Sequence, residues 1–151
     1  MKIFIASDHA GYNLKSTLIV YLGVLGHEVS DCGPYEYNEA DDYPDYMSSA
    51  AAEVSKNPNE CRGILIGGSG QGEAMVANRF PSVRAAVFYG GPNEIIILSR
   101  EHNDSNVLTL GARFVTESEA KEAVKTWLET QFTNEERHVR RIKKIDKSVI
   151  I

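Results

Sequence analysis

Arg62-Gly63-Ile64-Leu65-Ile66-Gly67-Gly68-Ser69-Gly70-Gln71-Gly72-Glu73-Ala74-Met75-Val76-Ala77-Asn78-Arg79 reads as a short buried strand, a glycine-rich turn and the start of a helix. A brief apolar run bounded by turn residues is the pattern of a strand covered on both faces, and such strands belong to parallel sheets. Glycines at 67, 68, 70 and 72 allow a ligand to approach the backbone closely and meet several N–H groups at once. The helix N-terminus adds a partial positive charge at the same place, and a carboxylate, Glu73, sits where that helix begins.

Outward from this turn, strand and helix patterns alternate. Residues 2–6 are an apolar run that ends in Ser7-Asp8-His9-Ala10-Gly11. Leu14, Leu18, Tyr21, Leu22 and Leu25 then recur at helical spacing, and Gly26 closes that helix. A strand is expected at 28–31, followed by a polar, acidic loop over 32–43 and a helix over 45–56 with Asn57-Pro58 as its stop. Beyond the glycine turn the pattern gives a helix to about residue 79, a strand at 85–89 and a turn at Gly90-Gly91-Pro92. A helix at 93–100, a strand at 107–110 and a helix at 117–130 follow, the last with Val124, Trp127 and Leu128 inward; a basic helix begins near Asn134. The expected fold is a three-layer α/β/α sandwich, Rossmann-like, with a five-stranded parallel sheet and a C-terminal basic helix, in a single domain spanning 1–151. Ligands of such sheets bind beyond the carboxyl ends of the strands. That places Asp8 and His9, the glycine turn, residues 89–91 and Gly111-Ala112-Arg113 along one edge.

Composition narrows the function. A 151-residue chain with 42% hydrophobic and 25% charged residues is an ordinary globular domain. A net charge of −5 argues against a general nucleic-acid binder, and no apolar run reaches the ~18 residues of a membrane span. Cys32 and Cys61 make neither a disulfide framework nor a zinc spacing, so no metal is expected and a reducing cytoplasm is the default compartment. The glycine turn lacks the Gly-Lys-Ser/Thr of a Walker loop, and the next strand ends in Phe88-Tyr89 without the ribose-binding acid of a dinucleotide fold. A phospho-accepting receiver would place Asp where this chain has Gly67.

Several polar residues carry plain readings at this level. Glu73 complements a helix dipole, Asp8 and His9 serve as a cap and a surface imidazole, and Arg100-Glu101-His102-Asn103-Asp104 closes a helix. Both cysteines pack, His27 merely follows a helix end, and Arg137-His138-Val139-Arg140-Arg141 is a solvated basic face. Arg137 and Arg141, four apart, nevertheless share a face suited to clamping one phosphate.

Six motifs, in order, resemble a known family. Ser7-Asp8-His9-Ala10-Gly11, Asp42-Tyr43-Pro44, the run from Gly67 to Glu73, Arg100-Glu101-His102-Asn103, Gly111-Ala112-Arg113 and Arg137-His138-x-Arg140-Arg141 are similar to the type B ribose-5-phosphate isomerases of the ribose/galactose isomerase family. The likeness spans residues 2 to about 146. Many relatives carry a cysteine base at the position of Gly67; this chain resembles the branch whose Gly-Gly-Ser-Gly-x-Gly-Glu supplies a glutamate instead.

The resemblance implies interconversion of D-ribose 5-phosphate and D-ribulose 5-phosphate through an enediolate, in the non-oxidative branch of the pentose phosphate pathway. Under it, Glu73 is the base, His102 opens the sugar ring, Asp8 contacts the ring-oxygen region and Ser69 helps bind the sugar. His9, Arg113, Arg137 and Arg141 would hold the phosphate, Tyr43 and Asn103 would line the pocket, and Gly67, Gly68, Gly70 and Gly72 would present backbone to the substrate. It also implies a homodimer or tetramer with shared sites, in which His102, Asn103 and Arg113 face the partner's glycine turn, and no cofactor. Isomerisation of allose 6-phosphate or galactose 6-phosphate, and a non-catalytic phosphosugar-binding regulator, stand as alternatives.

Overall fold

Strand β3 (Cys61–Gly67) lies at the centre of the sheet in the computed structural model, which describes residues 1–148; residues 149–151 of the expected domain lie outside the described residues. Around it run β1 (Lys2–Ser7), β2 (Glu28–Asp31), β4 (Ala85–Phe88) and β5 (Val107–Gly111), every pair parallel, in the order β2-β1-β3-β5-β4. The helices are α1 (Tyr12–Val24), α2 (Tyr43–Lys56), α3 (Gln71–Ala77), α4 (Glu94–Glu101), α5 (Glu117–Glu129) and α6 (Glu136–Ser148). None of them is long and apolar enough to cross a membrane.

Alternation along β3 explains why three layers form. Ile64 and Ile66 face a core shared with Leu18 and Leu22 of α1, Ile96 of α4, and Ala120, Val124 and Trp127 of α5. Leu65 faces the opposite core, built with Met47, Ala50, Ala51 and Val54 of α2 and Ala77 of α3. Burying each large side chain in these layers contributes roughly 1.5–3 kcal/mol. Trp127 is fully buried and still satisfies its indole, whose Nε1–H donates to Ser105 Oγ at 2.8 Å.

The element boundaries depart from the sequence pattern in small, explicable ways. Helix α2 starts at Tyr43 rather than 45, because Pro44 falls in the first turn, where its missing N–H is no loss. Helix α3 stops at Ala77, short of 79, with the Asn78 and Arg79 N–H groups bonded back to Ala74 and Val76. Gly26 closes α1 as expected: its N–H reaches Gly23 O, and the His27 N–H reaches Leu22 O. Leu25 lies beyond the helix end and stays 37% exposed, outside the core.

The strand order positions the site. The chain moves from β1 outward to β2, then returns to the other side of β1 to lay down β3. The carboxyl ends of β1 and β3 therefore flank the topological switch point, where the two following segments diverge and leave a crevice. Register aligns those ends: Ser7 pairs with Ile66, and Gly67 pairs with Gly111 at the end of β5.

Candidate active site

The glycine turn is pinned from behind by β5 and the residues after it. The Ala112 N–H donates to Gly67 O at 2.8 Å, the Arg113 N–H to Gly68 O at 3.2 Å, and the buried Thr109 hydroxyl to Gly70 O at 2.9 Å. Gly70 then opens α3 in the left-handed region at φ +79°, a conformation that penalises residues with a Cβ. Sequence reasoning passed over Thr109, which reads only as one more β-branched strand residue.

Glu73 folds back from the first turn of α3 into space that a side chain at position 67 would fill. A Cβ placed on Gly67 would collide with the Glu73 carboxyl group. Glu73 as a whole is only 4% exposed, and burial, reinforced by the charge of Asp8, raises its pKa above the ordinary carboxylate value against the pull of backbone N–H bonds from Glu73 and Gly70. An acid that merely complemented the helix dipole would sit in solvent. This one is aimed at the crevice.

Asp8, His9, Tyr43, Gly68, Ser69, Gly72, Glu73, Arg113 and Phe114 line that crevice, a cleft of about 490 Å³. Asp8 is buried and its Oδ1 accepts the Gly11 N–H at 3.0 Å, fixing the turn into α1. Tyr43 packs its ring over Gly72. The Arg113 guanidinium lies beside Gly68 of its own chain. The register that ends β5 level with β3 brings it there, so Arg113, expected from the resemblance to face a partner's turn, already borders the turn of its own chain. Gly67 and Gly70 are buried behind the wall rather than on it. Phe114 was missed; its only mark in the sequence is its place directly after Arg113.

His9 also lines this cleft. Its Nδ1 lies 2.7 Å from Asp41 Oδ1, and its ring meets Tyr37 edge-on at 6.5 Å. The bond to Asp41 is the main cause of an imidazole pKa raised above 6.5. Asp41 is separated from His9 by 32 residues and lies in an aperiodic loop, so no sequence pattern links them.

His102, Asn103, Arg137 and Arg141 do not line this cleft. They gather instead where α4 ends and α6 begins. His102 caps α4 and stacks on the buried His138 ring of α6, centroids 4.3 Å apart and planes 14° from parallel. Asn103 borders a groove with Arg84 and Ile145, Arg137 pairs with Glu135 at 2.8 Å, and Arg141 is exposed. Buried Arg100 braces this end of α4 by donating to Asp104 Oδ1 at 2.7 Å and to Ser105 O at 2.5 Å. Arg84 Nε donates to the carbonyls of Asn103 and Asp104. A single chain thus holds the candidate residues in two groups.

Comparison with known proteins agrees with this architecture. The Ribose/Galactose Isomerase family model matches residues 3–145. Ribose-5-phosphate isomerase B of Mycobacterium tuberculosis is 38% identical over 142 residues, covering 94% of this chain and 86% of that protein. The crystal structure of ribose-5-phosphate isomerase B from Mycoplasma genitalium with bound ribulose-5-phosphate superposes with a TM-score of 0.92 at 41% identity, covering 97% of this chain and 94% of that one. Ribose-5-phosphate isomerase B of Clostridium thermocellum gives a TM-score of 0.90 at 43% identity, covering 97% and 96%.

Proposed function

The chain belongs to the ribose/galactose isomerase family, and from that premise we propose that it interconverts D-ribose 5-phosphate and D-ribulose 5-phosphate, with Glu73 as the proton-transferring base. The observation that carries the assignment of the base is the buried Glu73 carboxyl, which occupies the side-chain space of Gly67 at the floor of the cleft. An aldose–ketose isomerase must move one proton between adjacent carbons, and a single carboxylate on a short tether reaches both. It takes the proton from C2 of the open-chain aldose to leave an enediolate with its charge on O1, the hydroxyl proton passes from O2 to O1, and the carboxyl returns its proton to C1 as the C2 carbonyl forms.

The developing oxyanion needs fixed donors. The backbone N–H groups of Gly68, Ser69 and Gly72, which line the cleft, supply them, and such donors contribute roughly 3–4 kcal/mol each in acyl-transfer enzymes. Ser69 holds the sugar beside them, and Asp8 meets the ring-oxygen region. Arg113 and His9 stand at the end of the cleft suited to the phosphate.

Ring opening and the remaining phosphate contacts fall to His102, Asn103, Arg137 and Arg141. Because these sit apart from their own chain's cleft, a homodimer that brings one protomer's second group to its partner's glycine turn completes the site. Pairing of dimers into a tetramer is compatible with the same arrangement. Two free cysteines and a small phosphorylated substrate suit a cytoplasmic enzyme of the non-oxidative pentose phosphate branch.

Two results test this reading. Purified protein is expected to convert ribose 5-phosphate with a kcat/KM well above its values for allose 6-phosphate and galactose 6-phosphate; a preference for either six-carbon sugar replaces the substrate assignment. Mixing Glu73→Gln with His102→Ala, each inactive as a homodimer, is expected to restore about a quarter of wild-type activity. Half of the dimers are then mixed, and each mixed dimer holds one intact site and one doubly damaged one. Failure of complementation in verified mixed dimers overturns the shared site.

A further inference from the structure

Asp41 has no place in the reaction just described, yet it is among the most constrained acids of the chain. Its side chain is 1% exposed, and Oδ1 meets His9 Nδ1 at 2.7 Å. Its second oxygen, Oδ2, is buried without a hydrogen-bond partner among the described residues. A carboxylate so placed is costly unless its charge is answered, and the group that answers it here is the imidazole of His9.

The loop that carries Asp41 is built to keep it there. The Asp41 N–H donates to Asn38 O, and the Ala40 N–H to Asn38 Oδ1. Upstream, the fully buried Lys15 ammonium ties the same loop to the sheet by donating to Asp31 Oδ1 at 2.7 Å and to Pro34 O at 2.6 Å. An acceptor at Nδ1 requires the proton on that nitrogen and leaves Nε2 as the ring atom free for the cleft, which His9 lines together with Arg113.

Two cations side by side repel, so His9 would tend to lose its proton next to Arg113. The groups acting on the ring are Asp41 and Asp8, which favour the imidazolium, and Arg113, which opposes it; the Tyr37 ring meets it edge-on. We propose that Asp41 is a positioning residue for the anionic end of the substrate: it takes the Nδ1–H of His9, turns Nε2–H toward the cleft, and keeps a second positive donor beside Arg113. This inference rests on reading the cleft as a phosphosugar site. It goes further in predicting how recognition depends on pH. A phosphate monoester becomes a dianion above about pH 6. His9 carries charge below its own raised pKa. Dianion and imidazolium therefore coexist between the two values, and Asp41 sets the upper edge of that window.

The test compares KM and kcat for ribose 5-phosphate in wild type, Asp41→Asn and His9→Ala from about pH 6 to about pH 9, with nitrogen-15 NMR of the His9 ring in wild type and Asp41→Asn. Asp41→Asn is expected to raise KM about tenfold near pH 8 with kcat within about twofold, and to move the alkaline rise of KM to lower pH. The NMR titration is expected to place wild-type His9 above the ordinary histidine value, with a lower value in the variant. A rise in KM for His9→Ala but not for Asp41→Asn overturns the role of Asp41 and leaves His9 as a phosphate ligand. An unchanged KM for His9→Ala overturns the phosphate role of His9 and this inference with it. Should Asp41→Asn not fold, the wild-type titration decides: a His9 that titrates at or below 6.5 sinks the proposal.

Discussion

Glu73→Gln is expected to lower kcat for ribose 5-phosphate by about a thousandfold, within the 10²–10⁴ range that removal of a positioned general base produces. The substitution keeps size and hydrogen-bonding shape but removes the proton acceptor, so KM should change little. Exchange of the C2 proton with solvent, followed by NMR in deuterated buffer, should fall in parallel. Near-normal exchange would move the base elsewhere. Loss of fold cannot mimic this outcome, because the carboxyl has a raised pKa and its charged form is disfavoured in the folded state. The stability linked to its protonation is present at low pH and is lost as pH rises through the folded value. Above that value the wild type carries a buried charge that glutamine does not, so the variant should melt at or above the wild-type temperature near pH 8. The same raised pKa sets the acid limb of kcat/KM in the wild type. Activity should begin to fall, on acidification, at a higher pH than an exposed glutamate would allow.

The residues that carried this assignment were unequally legible. Periodicity and spacing found all five strands, most plainly β3, where Ile64-Leu65-Ile66 is an unbroken apolar run, and least plainly β2, which is Glu-Val-Ser-Asp; they also found Trp127 and Val124 as core. They left the strand order open, because backbone pairing is indifferent to which apolar strand lies alongside; crossover geometry, not composition, sets the switch point between β1 and β3. Residues directly after strands, such as Asp8, Ser69 and Arg113, could be placed on one edge because the rule that puts ligands at strand carboxyl ends depends on chain order alone. The division of the candidate site was legible only through the family resemblance, which set His102 and Asn103 against a partner's turn. Nothing in the spacing of His102 or Arg137 separates them from Glu73, and it is the fold that puts them at the α4–α6 junction. Asp41 was hidden for the opposite reason: its partner is 32 residues away and its loop has no period to betray a contact.

Gly67→Ala tests the feature that couples the glycine turn to its acid, and its expected effect is the second largest. The position is buried and does not have a positive φ, so alanine's backbone fits and only its methyl group matters. That methyl falls on the Glu73 carboxyl, which must leave its place. Displacement of a reacting group by about 1 Å costs on the order of 10²-fold, so kcat should fall by about that factor while KM for the phosphosugar is largely kept. Overpacking should also destabilise the fold by ~1–3 kcal/mol. The two positions share one volume, which makes their effects non-additive. In a Glu73→Ala background, Gly67→Ala should cost almost nothing in stability, because the space is then empty. Denaturant unfolding of the four members of this cycle reads the coupling directly. Additive changes would mean that Glu73 leaves the floor of the cleft in solution, and the base would then have to reach the substrate from another position.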